Sequence, residues 1–440
     1  MRSMLTFFTS ASAPRSHPEG WPVDAFALRP EAKQPFDCSV PVLVLKMHHG
    51  SLGIARSLGR LGVAMYGLTT QQRSWASSSR YWHACYEWDV ERSPSERSIA
   101  FLLDLGRRMG SKPLLIPVSD HTALFVARHR AALRDGFRFP DLSYEVASGL
   151  ASKKQMYFLA RRCGIPTPET LFPQSRQELI GLLDTIRFPL VLKAIDGPRL
   201  QERTGKTMAI VHSVAELLEH YDLMEEPGNP NLMLQEYIPG GEDSVWMFNG
   251  YFDRDSRCLV GFTGRKIRQT PAYTGSTSLG IMLHNQTVAE TTKRFMKAIG
   301  YRGILDIGYR YDARDGQYKV LDVNPRIGST FRLFVDGNGL DVARVLYRDL
   351  TGQRIPEVRP AEGRKWIVED QDLWSSRRYW NDGKLSISQW LTSFRGVREG
   401  AWFAWDDPQP FLLLSRSMGA TSVRWVKRKL AVRPRQRTVL

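Results

Sequence analysis

Apolar and polar residues follow two different periods along the first third of the chain. Residues 40–45 form a continuous apolar run typical of a buried strand, whereas residues 51–61 carry apolar side chains at helical spacing. Residues 63–66 form the next apolar run, and residues 112–120 form another that leads into a helical pattern over 121–134. This succession of strand, helix and strand predicts a parallel sheet in an α/β domain.

The later part of the chain mixes both periods less regularly, which indicates α+β organisation. Helical spacing covers residues 152–163, residues 188–194 form a buried strand, and two alternating runs flank the turn sequence DARDG at 312–316. We therefore predict five regions. They are a flexible leader (1–39), a parallel-sheet domain (40–145), a smaller subdomain (146–230), a larger subdomain (231–355) and an aromatic-rich accessory region with a basic tail (356–440).

The predicted hairpin carries polar side chains on a face where a strand should show apolar ones. If residues 312–316 are the loop, Asp306 lies directly opposite Asp322 across the ladder, with Asn324 on the same face. Facing carboxylates destabilise a hairpin unless a cation separates them. Three oxygen ligands without His or Cys favour Mg²⁺ or Mn²⁺. The alternative is a solvated edge hairpin.

Two lysines stand where a phosphate-binding protein would need them. Lys153 opens a helix, and Lys193 ends an otherwise apolar strand, where an unpaired charge costs free energy unless it meets an anion. The alternatives are a surface lysine beside Lys154 and a strand-end lysine whose charge reaches solvent.

The segment LQEYIPGGED resembles a hinge at which extended backbone groups bind an adenine edge. Glu242 after the turn would accept hydrogen bonds from ribose hydroxyls, and the alternative is an ordinary strand followed by a turn. Neither a GxxxxGK[ST] loop nor a convincing GxGxxG fingerprint is present. The extended residues of the hinge are Gln235, Glu236, Tyr237 and Ile238.

Polar residues also follow the strands of the predicted parallel sheet. Ligand-facing groups in such sheets lie at the carboxyl ends of the strands. His48, His49, Ser119 and Asp120 are therefore candidates for ligand contact, although turns and helix caps explain them equally well.

The net charge of +16 and the pI of about 9.8 invite a nucleic-acid or membrane interpretation, but the distribution of charge weakens the former. Eight Lys or Arg and no acid lie within residues 408–440, so half of the excess sits in one tail. We interpret this tail as solvated, with a weak contact to anionic lipid as the alternative. Four scattered cysteines without a CxxC pair favour a reducing, cytoplasmic location.

Taken in chain order, these features resemble the ATP-grasp superfamily over roughly residues 40–350. The likeness is strongest to carboxylate–amine ligases such as D-aspartate ligase and to the large chain of carbamoyl-phosphate synthase. It implies an ATP-grasp fold with a preceding parallel-sheet domain, ATP and Mg²⁺ (or Mn²⁺) as cofactors, and a mobile loop at about 196–208. Two departures are Asp where Glu is commoner among the metal ligands, and few glycines in that loop.

The resemblance also implies a reaction in which a carboxylate is activated as an acyl phosphate and joined to an amine. Lys153 and Lys193 would then hold phosphates, and Arg326 would stabilise the transferring phosphoryl group. Arg265, Lys266 and Arg268 would bind the carboxylate substrate, the alternative being a solvated basic loop.

Other functions remain open at this point. They are carboxylation or phosphotransfer on the same fold, or an inactive basic protein that binds membranes or nucleic acid. For the ligase we expect small-molecule carboxylate and amine substrates and no nucleic acid. Peripheral contact with anionic membranes through the tail and a homodimer are both compatible with the sequence.

Overall fold

The computed structural model describes residues 36–70, 74–226, 228–359 and 361–418. The predicted leader, apart from residues 36–39, and the basic tail beyond residue 418 lie outside these ranges. In the part of the chain that is described, no helix is long and apolar enough to cross a bilayer. From Asp37 onward the residues group into a single compact unit that contains three β-sheets.

The first sheet confirms the predicted parallel arrangement. Its four strands run in the order β3-β2-β1-β4, and each neighbouring pair is parallel. Continuous apolar runs make these strands because both faces of a parallel sheet are covered by helices. The strands are β1 (Val42–Val44), β2 (Met65–Thr69), β3 (Trp82–Glu87) and β4 (Leu114–Ile116); the helices are α1 (His49–Gly59), α2 (Ser95–Arg108), α3 (Asp120–Arg128) and α4 (Arg130–Leu133).

Two consecutive helices, α5 (Tyr144–Ala151) and α6 (Lys153–Arg162), lead into the second sheet. The hydroxyl of Ser152 accepts a hydrogen bond from the backbone N–H of Gln155, so it caps α6 and fixes Lys153 as the first helical residue. Lys153 therefore lies at a defined helix start.

The second sheet is small and antiparallel, with the strand order β5-β8-β6-β7. Apolar side chains on one face pack against the following helices in a separate core. The strands are β5 (Thr170–Leu171), β6 (Leu190–Ala194), β7 (Met208–Val211) and β8 (Leu232–Glu236); the helices are α7 (Arg176–Gly181), α8 (Gly197–Thr204) and α9 (Val214–Met224).

Helix α8 corrects one expectation, because residues 196–208 were predicted to be a loop. Asp196 accepts from the backbone N–H of Arg199, and Pro198 occupies the first turn, where its missing N–H costs nothing. Gly205 ends the helix at a φ of 71°, a left-handed conformation that glycine adopts without strain. Leu200 is buried beneath the helix and anchors it.

The third sheet has seven strands in the order β13-β12-β9-β10-β11-β14-β15. Neighbouring strands are antiparallel except β14 and β15, which are parallel. The strands are β9 (Val245–Phe252), β10 (Cys258–Thr270), β11 (Ser276–Met282), β12 (Gly303–Asp312), β13 (Gln317–Asn324), β14 (Lys365–Ile367) and β15 (Val397–Gly400).

Helix α10 (Gln286–Ala298) covers one face of this sheet. Its buried Phe295 belongs to a core that also holds Phe248 and Ile307 from the sheet and Leu150 and Met156 from α5 and α6. The opposite face of β9, β10, β12 and β13 is thereby left to line a cleft. The remaining helices are α11 (Val342–Leu350), α12 (Glu369–Asn381), α13 (Ile387–Ser393) and a helix over 409–418.

The region after residue 355 is built into the third sheet, since it supplies β14 and β15. A buried ion pair also ties it to the first sheet's α1. The Arg56 guanidinium donates to the Asp407 carboxylate at 2.9 Å, and each side chain is 1% exposed. Arg56 also donates to the carbonyls of Ala401 and Trp402. The residues 401–407 therefore depend on one charged residue of α1.

Removing the Asp407 carboxylate should destabilise the protein strongly. Asp407→Ala leaves the Arg56 charge buried without a counterion, which typically costs about 3–5 kcal/mol. The matched control is Asp406→Ala, because Asp406 pairs with Arg60 at 2.8 Å in a solvent-exposed setting and should cost about 1 kcal/mol or less. Urea denaturation followed by tryptophan fluorescence measures both. Equal midpoints for the two variants would contradict the assigned importance of the buried pair.

Candidate functional site

A cleft of about 1350 Å³ lies between residues of the small antiparallel sheet and the uncovered face of the seven-stranded sheet. It is larger than the roughly 300–1,000 Å³ of ordinary ligand pockets, so it has room for more than one ligand. Twelve of the fourteen residues predicted from the sequence line it: Lys153, Lys193, Gln235, Glu236, Tyr237, Ile238, Glu242, Lys266, Arg268, Asp306, Asp322 and Asn324.

The register of the β12–β13 hairpin differs from the predicted one. Asp306 pairs with Asn324, and Asp322 pairs with Gly308, so the two carboxylates are diagonal rather than directly opposite. Asp312 pairs with Gln317, which makes the loop four residues long instead of five.

Two local features, a tighter loop and a β-bulge, cause this change of register. The backbone N–H of Gly316 donates to the carbonyl of Asp312 at 2.8 Å, and the Asp312 carboxylate accepts from the backbone N–H of Arg314, which tightens the loop. A β-bulge between Gly308 and Tyr309 then leaves Leu321 without a partner and moves the register once more. Asp306, Asp322 and Asn324 nevertheless share the cleft face, because the pairs 306/324 and 308/322 are two residues apart.

The electrostatics of this face fit a hard cation. Burial raises the pKa of Asp306 to about 6, with the Asp322 charge contributing to the increase and Arg326 and Lys266 opposing it. The Asn324 amide donates to Asp322 at 3.3 Å, which keeps the two side chains together.

The donor set is also of the right chemistry. Two carboxylates and one carboxamide offer hard oxygen atoms, and Mg²⁺ usually takes one or two carboxylates and fills its other positions with water and phosphate oxygens. Among the described residues, no group of three or more His, Cys, Asp or Glu is placed to hold a metal ion.

Three lysines face these oxygen atoms from different elements. Lys153 donates to the carbonyl of Ile195 at 3.3 Å, and Lys266 donates to the carbonyl of Gly275 at 2.8 Å. Burial lowers the pKa of Lys193 to about 8, with the Asp322 charge opposing the decrease and the charges of Lys153 and Lys266 contributing to it. This concentration of positive charge is suited to an anion of high charge such as a polyphosphate.

Fewer residues of the hinge segment have unpaired backbone groups than the sequence indicated. The backbone of Gln235 is paired on both sides, with Thr170 in β5 and with Val191 in β6. Glu236 pairs with Leu190, and its carboxylate accepts from Arg314 at 2.5 Å and from Lys319 at 3.3 Å. Backbone groups for an adenine edge are therefore to be sought at Tyr237 and Ile238, which follow the end of β8.

Glu242 is held by groups that the sequence did not point to. The Tyr379 hydroxyl of α12 donates to one carboxylate oxygen at 2.6 Å, and the Gln269 side-chain amide donates to the other. Burial raises the pKa of Tyr379, with the Glu242 contact adding to the effect, so its hydroxyl stays a donor at neutral pH. Tyr379 lies 137 residues from Glu242, and no local pattern connects the two.

The three predicted substrate-binding residues on β10 separate in the structure. Only Lys266 combines a place on the cleft wall with side-chain atoms near Asp306 and Asp322. Arg268 is 3% exposed and forms a bidentate pair with Asp372 of α12, with both N–O distances at 2.8–2.9 Å. Arg265 pairs in register with Trp246, on the face that packs toward α10, and does not line the cleft.

Two physical causes explain these corrections. Strand alternation points Arg265 to the face opposite Lys266, and a bulge lies between Lys266 and Arg268. The Arg268 guanidinium also forms bidentate hydrogen bonds with the buried Asp372, so its role is structural.

Arg326 lies just behind the metal-ligand candidates. Its Nε donates to Asp120 of α3 at 2.6 Å and a terminal nitrogen donates to Asn324 at 3.1 Å. It does not itself line the cleft, in contrast to the prediction that it is aimed at a phosphoryl group.

The other strand-end candidates of the first sheet are structural. His48 caps α1 by accepting from the backbone N–H of Gly50, and burial lowers its pKa to about 3, so it stays neutral. His49 packs against Trp366 and Trp402, and the Ser119 hydroxyl caps α3.

Comparison with known proteins agrees with this architecture. No family model matches the chain. An L-amino acid ligase from Bacillus licheniformis superposes with a TM-score of 0.56 at 14% identity, over 75% of this chain and 79% of that one. The biotin carboxylase domain of Hydrogenobacter thermophilus 2-oxoglutarate carboxylase, in complex with MgADP, ADP and bicarbonate, gives 0.57 at 17% identity, over 73% of each chain. The chain has the ATP-grasp fold.

Sequence relatives of this ATP-grasp chain agree with the resemblance to carboxylate–amine ligases. D-aspartate ligase from Enterococcus faecium is 28% identical over 250 residues, 54% of this chain and 58% of that protein. The C-terminal section of the Methanopyrus kandleri carbamoyl phosphate synthase large chain is 21% identical over 238 residues, 50% of this chain and 42% of that protein. The matched part spans about half the length of these relatives.

Nucleotide binding by this ATP-grasp cleft should be coupled to protonation of Lys193. Phosphate restores the preference of a buried lysine for its charged form, so binding raises the lowered pKa and takes up a proton between about pH 8 and pH 10. ADP affinity should therefore fall as the pH rises through this window. Isothermal titration calorimetry with ADP in two buffers of different ionisation enthalpy measures the proton uptake.

Lys193→Met should remove this proton uptake and weaken ADP binding. The control is Lys154→Met, because Lys154 lies over the Phe172 ring and does not line the cleft. Equal proton uptake in the Lys193→Met protein and the wild type would contradict the assignment.

Proposed function

We propose that the protein is an ATP- and Mg²⁺-dependent ligase that joins a carboxylate to an amine and releases ADP and phosphate. The observation that carries the proposal is the convergence of Lys153, Lys193 and Lys266 with Asp306 and Asp322 on one cleft. These groups come from separate elements, and their opposite charges fit a nucleotide with its cation. The likeness to D-aspartate ligase supports the same conclusion.

The nucleotide would bind along the lysine side of the cleft. Tyr237 and Ile238 offer backbone groups to the adenine, and Glu242, oriented by Tyr379, accepts from the ribose. Lys153 and Lys193 contact the phosphates. Helix α8, close to Lys153 through Gly197, would cover the phosphates and keep water from a reactive acyl phosphate.

Asp306, Asp322 and Asn324 would hold Mg²⁺. When bound, the ion would neutralise charge on the transferring phosphoryl group. The chain contributes the oxygen ligands, and Lys266 next to them stabilises the negative charge of the substrate carboxylate.

The proposed reaction has two steps. The substrate carboxylate oxygen bonds to the terminal phosphorus of ATP, and the bond from that phosphorus to the ADP oxygen breaks. The ammonium group first loses a proton to solvent, and the amine nitrogen then bonds to the acyl carbon. The carbon–oxygen bond to phosphate breaks, and the nitrogen gives up a second proton to the released phosphate. No nucleophilic side chain is needed.

The partners of such an enzyme are small molecules. Contact of the basic tail with anionic membranes, a cytoplasmic location and a homodimer remain predictions from the sequence. Of the predicted substrate-binding residues Arg265, Lys266 and Arg268, Lys266 would bind the substrate carboxylate. Arg326 would act indirectly, through its hydrogen bond to Asn324.

A paired-substrate screen tests the proposal. Amino acids of both enantiomers, with D-aspartate and L-aspartate among the carboxylates, are combined pairwise with ATP and Mg²⁺ while ADP release is followed. Hydroxylamine serves in parallel as a general nucleophile, because it converts any acyl phosphate to a hydroxamate. ADP release that needs no carboxylate, or the absence of hydroxamate with every carboxylate, would contradict the ligase.

Asp322→Ala should abolish carboxylate-dependent ADP release while the protein stays folded. Loss of a metal carboxylate removes the charge neutralisation at the phosphoryl group, so we expect a fall of about 10²-fold or more in kcat, comparable to the loss of one group that stabilises transition-state charge. Circular dichroism checks the fold. The control is Asp315→Asn in the loop of the same hairpin, which lies off the cleft wall and should keep activity. Full activity of Asp322→Ala would disprove the metal assignment.

A further inference from the structure

Residues of the parallel-sheet domain contribute one side chain to the cleft. Of the described residues between 37 and 143, Asp120 alone lines it. This residue is the first of α3, at the carboxyl end of β4, and its side chain is 52% exposed. The first sheet therefore presents a solvent-accessible carboxylate to a cleft that otherwise concentrates groups for phosphates and a cation.

Asp120 also lies close to the reacting end of the cleft. One of its oxygens accepts from Arg326 at 2.6 Å, and Arg326 in turn contacts Asn324 of the metal-ligand set. The charge of Asp120 is near enough to Asp306 to influence it. Within the described part of the chain, Arg326 is the side chain that hydrogen-bonds to Asp120, and it engages one carboxylate oxygen.

The other acids on the cleft wall are already committed. Glu236 is paired with Arg314 and Lys319, and Glu242 accepts from Tyr379 and Gln269. Asp306 and Asp322 are the proposed metal ligands, which leaves Asp120 as the fifth acid of this wall. No histidine lines the wall among the described residues. A carboxylate oxygen free to meet a second ligand is thus found at Asp120.

An amine substrate needs such a group. Most amines are ammonium ions at neutral pH, and a cation that enters a cleft lined by lysines and arginines is repelled unless a carboxylate faces it. A carboxylate that binds the ammonium through charge-assisted hydrogen bonds would also hold the nitrogen near the activated carboxylate.

We propose that Asp120 is the binding site for the ammonium group of the amine substrate. This inference rests on the proposed ligase function and deepens it. The amine would then meet the parallel-sheet domain at the start of α3, and the Arg326 contact keeps the Asp120 carboxylate in place.

Asp120→Asn tests this role with little disturbance. Asparagine keeps an oxygen that can accept from Arg326 but has no charge to attract an ammonium ion. Steady-state kinetics with the amino acids of the screen should show a KM for the amine raised on the order of tenfold to a hundredfold, the range for a lost hydrogen bond to a charged group. The KM values for ATP and for the carboxylate should stay within about threefold.

Hydroxylamine separates amine binding from carboxylate activation. It is mostly uncharged at pH 7.5, so it does not need Asp120. Carboxylate-dependent hydroxamate formation should therefore persist in Asp120→Asn at near wild-type rates. The control is Asp141→Asn, a similarly exposed acid that pairs with surface arginines and does not line the cleft, and all its constants should stay unchanged.

Each alternative result has a distinct meaning. Equal loss of hydroxamate and amide formation in Asp120→Asn would show that the residue acts only through Arg326 and would overturn the inference. An unchanged KM for the amine would overturn it too, as would a wild type that makes hydroxamate but no amide with any cationic amine. A wild type that makes no hydroxamate would instead refute the proposed ligase.

Discussion

Charged side chains of both signs lie close together around one cleft, and the structure holds them there without giving each a counterion in its own strand or helix. Asp306 and Asp322 lie diagonally on a hairpin, and burial raises the pKa of Asp306 to about 6. Lys193 faces them from another sheet, and burial lowers its pKa to about 8. The raised pKa of Asp306 and the lowered pKa of Lys193 mean that neither wall of the cleft fully stabilises its own charged groups. A polyphosphate with a divalent cation would complete both.

Such a cleft needs a rigid frame, and hydrogen-bonded side-chain pairs at its edges supply one. Arg268 is held by Asp372, Glu242 by Tyr379, and Arg326 by Asp120. Each pair joins elements that are far apart in sequence. The region after residue 355 thereby stabilises the positions of β10 and of the hinge. It also adds two strands to the seven-stranded sheet.

The sequence predicted the placement of a side chain where a single strand or helix determines which way it points. Asp322 and Asn324 lie on one face because they are two residues apart in a strand, and Lys153 lies at a helix start because Ser152 is a good cap. Predictions failed where the backbone was irregular or a distant partner intervened. A shorter loop and one extra residue at Leu321 changed the partner of Asp306, and Asp372 holds the guanidinium of Arg268 although Arg268 lines the cleft.

The sequence by itself determined the parallel sheet, the hairpin and the types of charged residue on the cleft, since these follow from local hydrophobic period, capping and residue identity. Only the tertiary structure decided which charges are free. Arg268, Glu236 and Arg326 look alike in sequence to groups available for a ligand, yet each has a partner more than 75 residues away. Asp120 keeps an accessible carboxylate oxygen because the packing brings Arg326 to the other oxygen of this side chain. Pairing between distant residues depends on how the sheets pack, and no local pattern records it.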